Sequence, residues 1–176
     1  MSNISDPLPR PYFLFFSILE PALTYIGAAY AVLTPSSYFS DLFPLSLAPR
    51  ALVPLHPAAV MATRQLGSCF FLFALMGSFL LPRMRTVLKA HPHQLERLVE
   101  TYLACLAAAD LTHIGFTLFD LGFEGSSKPF VHWNQLVIGN VVITIGLFVV
   151  RMMWFAKVGR SSSARASRAT LGIKSK

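Results

Sequence analysis

Two carboxylates stand where a carboxylate is costly. Asp110 lies inside the apolar run Leu103 to Phe116, and Glu20 inside Phe13 to Leu23. His113 follows Asp110 by three residues, about one helical turn. An ionisable group at the centre of a bilayer costs roughly 2.5–3.5 kcal/mol on insertion scales. Two acids and an imidazole in a chain of 176 residues therefore point to an enclosed polar site. The chemistry open to such a trio is acid–base. Two carboxyls in one pocket need not share a protonation state, so one can act as general acid and the other as general base. The competing reading is a structural cluster. There Glu20 or Asp110 bonds His113, Asn140 and Arg151 and fastens helices together. Two acids and a histidine exceed what fastening needs, which favours chemistry.

The elements that must position these groups follow from composition. Hydrophobic residues make up 54% of the chain and charged residues 13%, with a mean hydropathy of +0.56. This is the profile of a multi-span membrane protein, not of a soluble domain. Segments of about 20 apolar residues can span, and four qualify, near 12–33, 60–81, 98–119 and 135–156. The expected fold is all-α, a membrane-embedded four-helix bundle forming one domain over residues 1–160. Residues 161–176, rich in Ser, Ala and Arg, read as a disordered basic tail. The first apolar run is long enough to span, so no cleaved signal peptide is expected.

Charge placement agrees with four crossings. An even count gathers Arg10, Arg83, Arg85, Lys89, Arg97, Lys157, Arg160, Arg165, Arg168, Lys174 and Lys176 on one side and leaves Arg50 and Lys128 on the other. The bias of Lys and Arg toward the cytosol then predicts that both termini are cytosolic. The host membrane expected is the endoplasmic reticulum. The net charge of +7 reflects topology and attraction to anionic lipid. The expected partners are membrane lipids and an apolar small molecule, not nucleic acid.

Helix geometry sorts the polar positions, because residues three, four or seven apart share a face. Ser17, Glu20, Thr24 and Gly27 form one stripe, and Asp110, His113 and Thr117 a second. Trp133, Asn140, Thr144 and Arg151 align on the fourth span, and Gln65, Ser68 and Cys69 lie near one end of the second. At about 1.5 Å rise per residue, Glu20 falls roughly 4 Å to the cytosolic side of the midplane. Asp110 falls roughly 2 Å beyond it, and His113 and Asn140 about 7–8 Å beyond it. All occupy one slab, and each polar group in lipid needs a partner or water. Trp133 reads first as an interfacial anchor, but the amide of Asn134 beside it opens a substrate-holding alternative.

Other candidates are weaker. His91-Pro92-His93 lies in a basic connection over 82–97 and reads as solvated, so no metal and no cofactor are expected. Cys69 and Cys105 read as small packing residues. Asp120 and Glu124 fall in a short loop over 120–134. The proline-rich segment 34–59 suggests a stretch on the membrane surface, either a lid over a cavity or inert.

Several of these runs resemble a family of small fungal four-span membrane proteins. They are Phe15-Phe16-Ser17-Ile18-Leu19-Glu20-Pro21 with Gly27-Ala28-Ala29-Tyr30-Ala31, Gln65-Leu66 with Phe71-Leu72-Phe73-Ala74-Leu75, Ala109-Asp110-Leu111-Thr112-His113, and Trp133-Asn134 with Gly139-Asn140 and Arg151. Some members resemble epoxide hydrolases or cyclases acting on polyketides such as polyene pyrones. The same proteins are also similar, more distantly, to membrane terpene cyclases of meroterpenoid pathways and to the sterol-isomerase-like four-span fold. The resemblance implies Glu20, Asp110 and His113 as catalytic. It implies Trp133, Asn134 and Asn140 as substrate-binding, to which the stripes add Thr117 and Gln65. Where some relatives carry a second aromatic, this chain has Val137-Ile138 before Gly139-Asn140. The reaction expected is epoxide opening on an apolar polyketide. Protonation of an alkene and non-catalytic binding of a lipid or sterol are the alternatives.

Overall fold

The computed structural model describes residues 6–44 and 55–160, which contain helices and no strand. Four helices are long and apolar enough to cross a membrane: α1 (Arg10–Leu33), α3 (Pro57–Val87), α4 (Pro92–Ser127) and α6 (Gln135–Phe155). Two short helices lie between them, α2 (Pro35–Asp41) and α5 (Pro129–His132). Pro35, Pro57, Pro92 and Pro129 each open a helix. There the missing N–H costs nothing and the fixed φ suits the first turn.

Pro21 and Pro82 are different, because they lie inside helices. A proline ring clashes with the carbonyl four residues earlier. The helix opens to a π turn just before each one, Phe15–Leu19 ahead of Glu20-Pro21 and Met76–Leu80 ahead of Leu81-Pro82. The Glu20 N–H donates to the Phe15 carbonyl and the Leu81 N–H to the Met76 carbonyl, five residues back. The wider turn makes room for the ring, so the helix continues. This is why α3 runs on to Val87, past the expected end near 81. A third π turn, Gly139–Ile143, contains no proline and carries Asn140.

α4 also outruns its expected bounds, starting at Pro92 and ending at Ser127. It breaks locally at Gly122 (φ 67°, ψ −176°), a left-handed φ that glycine adopts without a Cβ penalty. The Ser126 hydroxyl bridges the break by donating to the Leu118 carbonyl at 2.9 Å. The expected connections at 82–97 and 120–134 are therefore largely helical. Of the proline-rich segment, Pro35–Asp41 is α2, while 45–54 lie outside the described residues, as does the expected tail 161–176.

α1 packs chiefly on α3, and α4 chiefly on α6. Small residues bring the first pair close. A Cβ on Gly67 would sit 2.7 Å from Val32 Cγ2 and 3.2 Å from the Ala28 carbonyl. A Cβ on Gly77 would sit 2.6 Å from Pro21 Cγ and 3.1 Å from the Phe16 carbonyl. The two pairs join at one end through Leu8, Tyr12, Phe16, Leu81, Leu95, Val99, Leu103 and Trp154. At the other end Leu121, Val137 and Val141 pack with Trp133. Nearby, α2 buries Tyr38 edge-on against Tyr30. Between these ends a cavity separates parts of the two pairs.

Candidate functional site

Arg151 of α6 is the hub of the region between these ends, with 1% of its surface exposed. Its Nη1 donates to Asp110 Oδ2 on α4, and its Nη2 donates to Glu20 Oε1 on α1. One guanidinium thus joins three helices, using the fork geometry that lysine lacks. With both carboxyls ionised the trio would carry one net negative charge, and with one proton it is neutral. Burying an uncompensated charge costs several kcal/mol, so this count governs the chemistry open to the cluster. Among the described residues Glu20 Oε2, Arg151 Nε and Ser17 Oγ are buried without a hydrogen-bond partner.

One turn along α4 from Asp110, the His113 imidazole lies beside the Asn140 side chain. Both groups face a cavity of about 430 Å³, within the usual range for small-ligand sites. The cavity lies between the two helix pairs. Its polar wall is Glu20, Thr24, Asp110, His113, Asn140, Thr144 and Arg151, and its apolar wall includes Leu23, Phe70, Phe73, Leu106, Leu136, Ile143 and Leu147. Tyr30 lines the end nearest α2 and donates to Asp41 Oδ2 at 2.5 Å. A larger recess of about 690 Å³ lies beside Asp6, Arg85 and Lys89. It holds none of the intramembrane acids, so the smaller cavity is where the chemistry-bearing groups converge.

The expected site residues divide into two sets. Glu20, Asp110, His113 and Asn140 share the cavity wall. The other four stand off it. The Thr117 hydroxyl turns back to the His113 carbonyl at 2.8 Å, and Gln65 is exposed on α3. The Trp133 indole donates to the Gly125 carbonyl at 2.9 Å and packs into the end plug. Asn134 caps α6, its Oδ1 accepting from the Val137 N–H at 2.9 Å while its Nδ2 donates to the Asp41 carbonyl at 2.8 Å. Helix α6 begins after Asn134, so Trp133 and Asn134 tie down a helix start and do not share the stripe of Asn140, Thr144 and Arg151. Tyr30, Phe70 and Phe73 are wall residues that the polar stripes could not reveal, since their types suit any apolar helix. Among the described residues no group of three or more His, Cys, Asp or Glu is placed to hold a metal ion.

An all-helical fold with two acids bridged by one arginine beside an apolar cavity is thus in place. The chain belongs to the family described as domain of unknown function (DUF7704), whose family model matches residues 5–161. That match takes in all four long helices and every wall residue. No curated protein and no solved structure matches the chain.

Proposed function

We propose that this protein is a multi-pass membrane enzyme that opens an epoxide on an apolar polyketide, by hydrolysis or by internal cyclisation. In this reading it resides in the endoplasmic reticulum with both termini in the cytosol, a placement supported by the distribution of Lys and Arg. The observation that carries the reaction is that two acids and an imidazole share the wall of one apolar cavity, with both acids set by a single guanidinium. The epoxide half of the proposal comes from the family resemblance of the sequence. The acid–base half comes from the geometry.

One carboxyl of the Arg151-bridged pair holds the proton and donates it to the epoxide oxygen as the C–O bond breaks. The oxygen of water, or of an internal hydroxyl, bonds to the carbon that is released. The proton of that nucleophile passes to the second carboxylate or to His113. The product is a diol or a cyclic ether, and the pair is restored by proton exchange. Asn140, beside His113 on the cavity wall, orients the imidazole. Proton transfer of this kind contributes about 10²–10⁴-fold, with positioning adding more.

A non-catalytic lipid- or sterol-binding protein is the second reading. It is favoured by the engagement of one oxygen of each acid by Arg151, as a purely structural bridge would require. The deciding experiment uses the full chain in lipid nanodiscs with polyketide epoxides in oxygen-18 water. Diol bearing the heavy oxygen is expected from hydrolysis and unlabelled cyclic ether from cyclisation. Binding of the epoxide without conversion would establish the second reading and end the first.

A further inference from the structure

The cavity lies between packed ends of the bundle and meets exposed residues along its sides. At one end Tyr12, Phe16 and Trp154 are buried in a continuous core. At the other, Tyr38 of α2 is buried against Tyr30, and Asn134 Nδ2 reaches across to donate to the Asp41 carbonyl. The exposed wall residues lie elsewhere. Ile26 of α1 is 67% exposed, Phe73 of α3 44%, and Ile143 of α6 43%. Phe73 and Ile143 sit in the middle stretch of their helices, and Ile26 lies about two turns inside the end of α1. In a bilayer those positions face acyl chains, not headgroups or water.

The arrangement is also polarised from inside to outside. Arg151, Asp110 and Glu20 form its buried inner end, while its rim is apolar on three helices. A water-borne polar solute would have to cross the acyl region to reach this rim, at high desolvation cost. A molecule already dissolved in the bilayer would not. From this geometry we infer that the ligand is a long-chain amphiphile taken sideways from the bilayer interior, its oxygen-bearing end leading to the Arg151 cluster and its apolar tail trailing past Ile26 and Ile143. This inference rests on the proposed reading for the reaction but not for the binding. An elongated ligand of this kind leaves its tail in lipid, so the small cavity does not limit its length.

The test separates the two claims. The full chain in phosphatidylcholine nanodiscs is mixed with a long-chain terminal epoxyalkane that carries a diazirine at its tail end. The mixture is irradiated, and labelled peptides are mapped with and without excess unlabelled epoxyalkane. Competed labels at Ile26, Phe73 or Ile143 are expected. The double variant Ile26→Trp/Ile143→Trp, with bulk added at exposed positions, should lower those labels and long-chain turnover about tenfold or more. Unchanged circular dichroism and a monodisperse size-exclusion profile confirm that the variant is folded. Competed labels at Tyr12, Trp154 or Tyr38 would overturn lateral access, as would full long-chain labelling in the folded double variant. Rim labelling without any diol would sustain the lateral route and refute hydrolysis as the reaction instead.

Discussion

Glu20 and Arg151 are 131 residues apart in the chain and joined by a buried salt bridge. This contact crosses the seam between the α1–α3 pair and the α4–α6 pair. Asp110 completes it from within the second pair. The cluster is therefore both a bridge and the inner wall of the cavity, and the two roles can be separated by substitution.

Arg151→Met removes the guanidinium that, among the described residues, touches these acids, and leaves buried carboxylates uncompensated. Breaking a buried ion pair in this way costs about 3–5 kcal/mol. The triple variant Arg151→Met/Glu20→Gln/Asp110→Asn removes the stranded charges as well and should recover most of that loss. Thermal unfolding in detergent, followed by circular dichroism, reads both effects. A triple variant as unstable as the single one would mean that packing, not charge, sets the cost.

Glu20→Gln and Asp110→Asn keep shape and hydrogen bonding but abolish proton transfer. Turnover of an epoxide should fall about 10²–10⁴-fold in each, while binding of the same epoxide changes much less. Single-turnover kinetics beside equilibrium binding measure the split. Full turnover in both variants would remove these acids from the chemistry.

Glycines of one sequence type should respond oppositely. Gly77→Ala drives a Cβ into Pro21 and the Phe16 carbonyl, an overpacking that costs about 1–3 kcal/mol. Gly146 has nothing within 4 Å of its added Cβ, so Gly146→Ala should be neutral or stabilise α6 by up to about 1 kcal/mol. Paired melting curves check the contrast, and equal shifts would contradict the close approach of α1 and α3.

Tyr38 lies in α2, outside the four long helices, and burial, with Tyr30 adding to it, pushes its hydroxyl from 10.0 up to about 12. A group whose pKa rises on folding contributes stability that is whole below its unfolded value and drains away as pH climbs through the folded one. Melting temperature should therefore decline across the window from 10.0 to about 12, and less steeply in Tyr38→Phe. Melts across that range in both proteins provide the measurement.

The four long helices were legible as apolar runs, because span length is dictated by thickness alone. Their ends were not. Pro82 reads as a stop signal, and only the π turn before it lets α3 continue. Gly122 and the serine-rich stretch read as a loop, yet the Ser126 bond to Leu118 carries the helix beyond the break. The three-residue spacing of Asp110 and His113, and the alignment of Asn140, Thr144 and Arg151, placed those groups on one wall. Trp133 and Asn134 stand off that wall because their partners, Gly125 and Asp41, are set by how the end of the bundle packs. The Asp41 partner is 93 residues away, beyond the reach of any local pattern. Arg151 was visible on its stripe, but its simultaneous hold on two other helices depends on how all three pack.

The uneven packing has a mechanical corollary. Each helix pair is interlocked by tight apolar contact, but midway along the bundle the pairs are tied to each other by ions and empty space. Such a joint can gape or narrow by swinging two stiff halves, without loosening either. In the proposed reading, selectivity among guests of differing girth would follow from how far the halves yield as much as from any fixed outline.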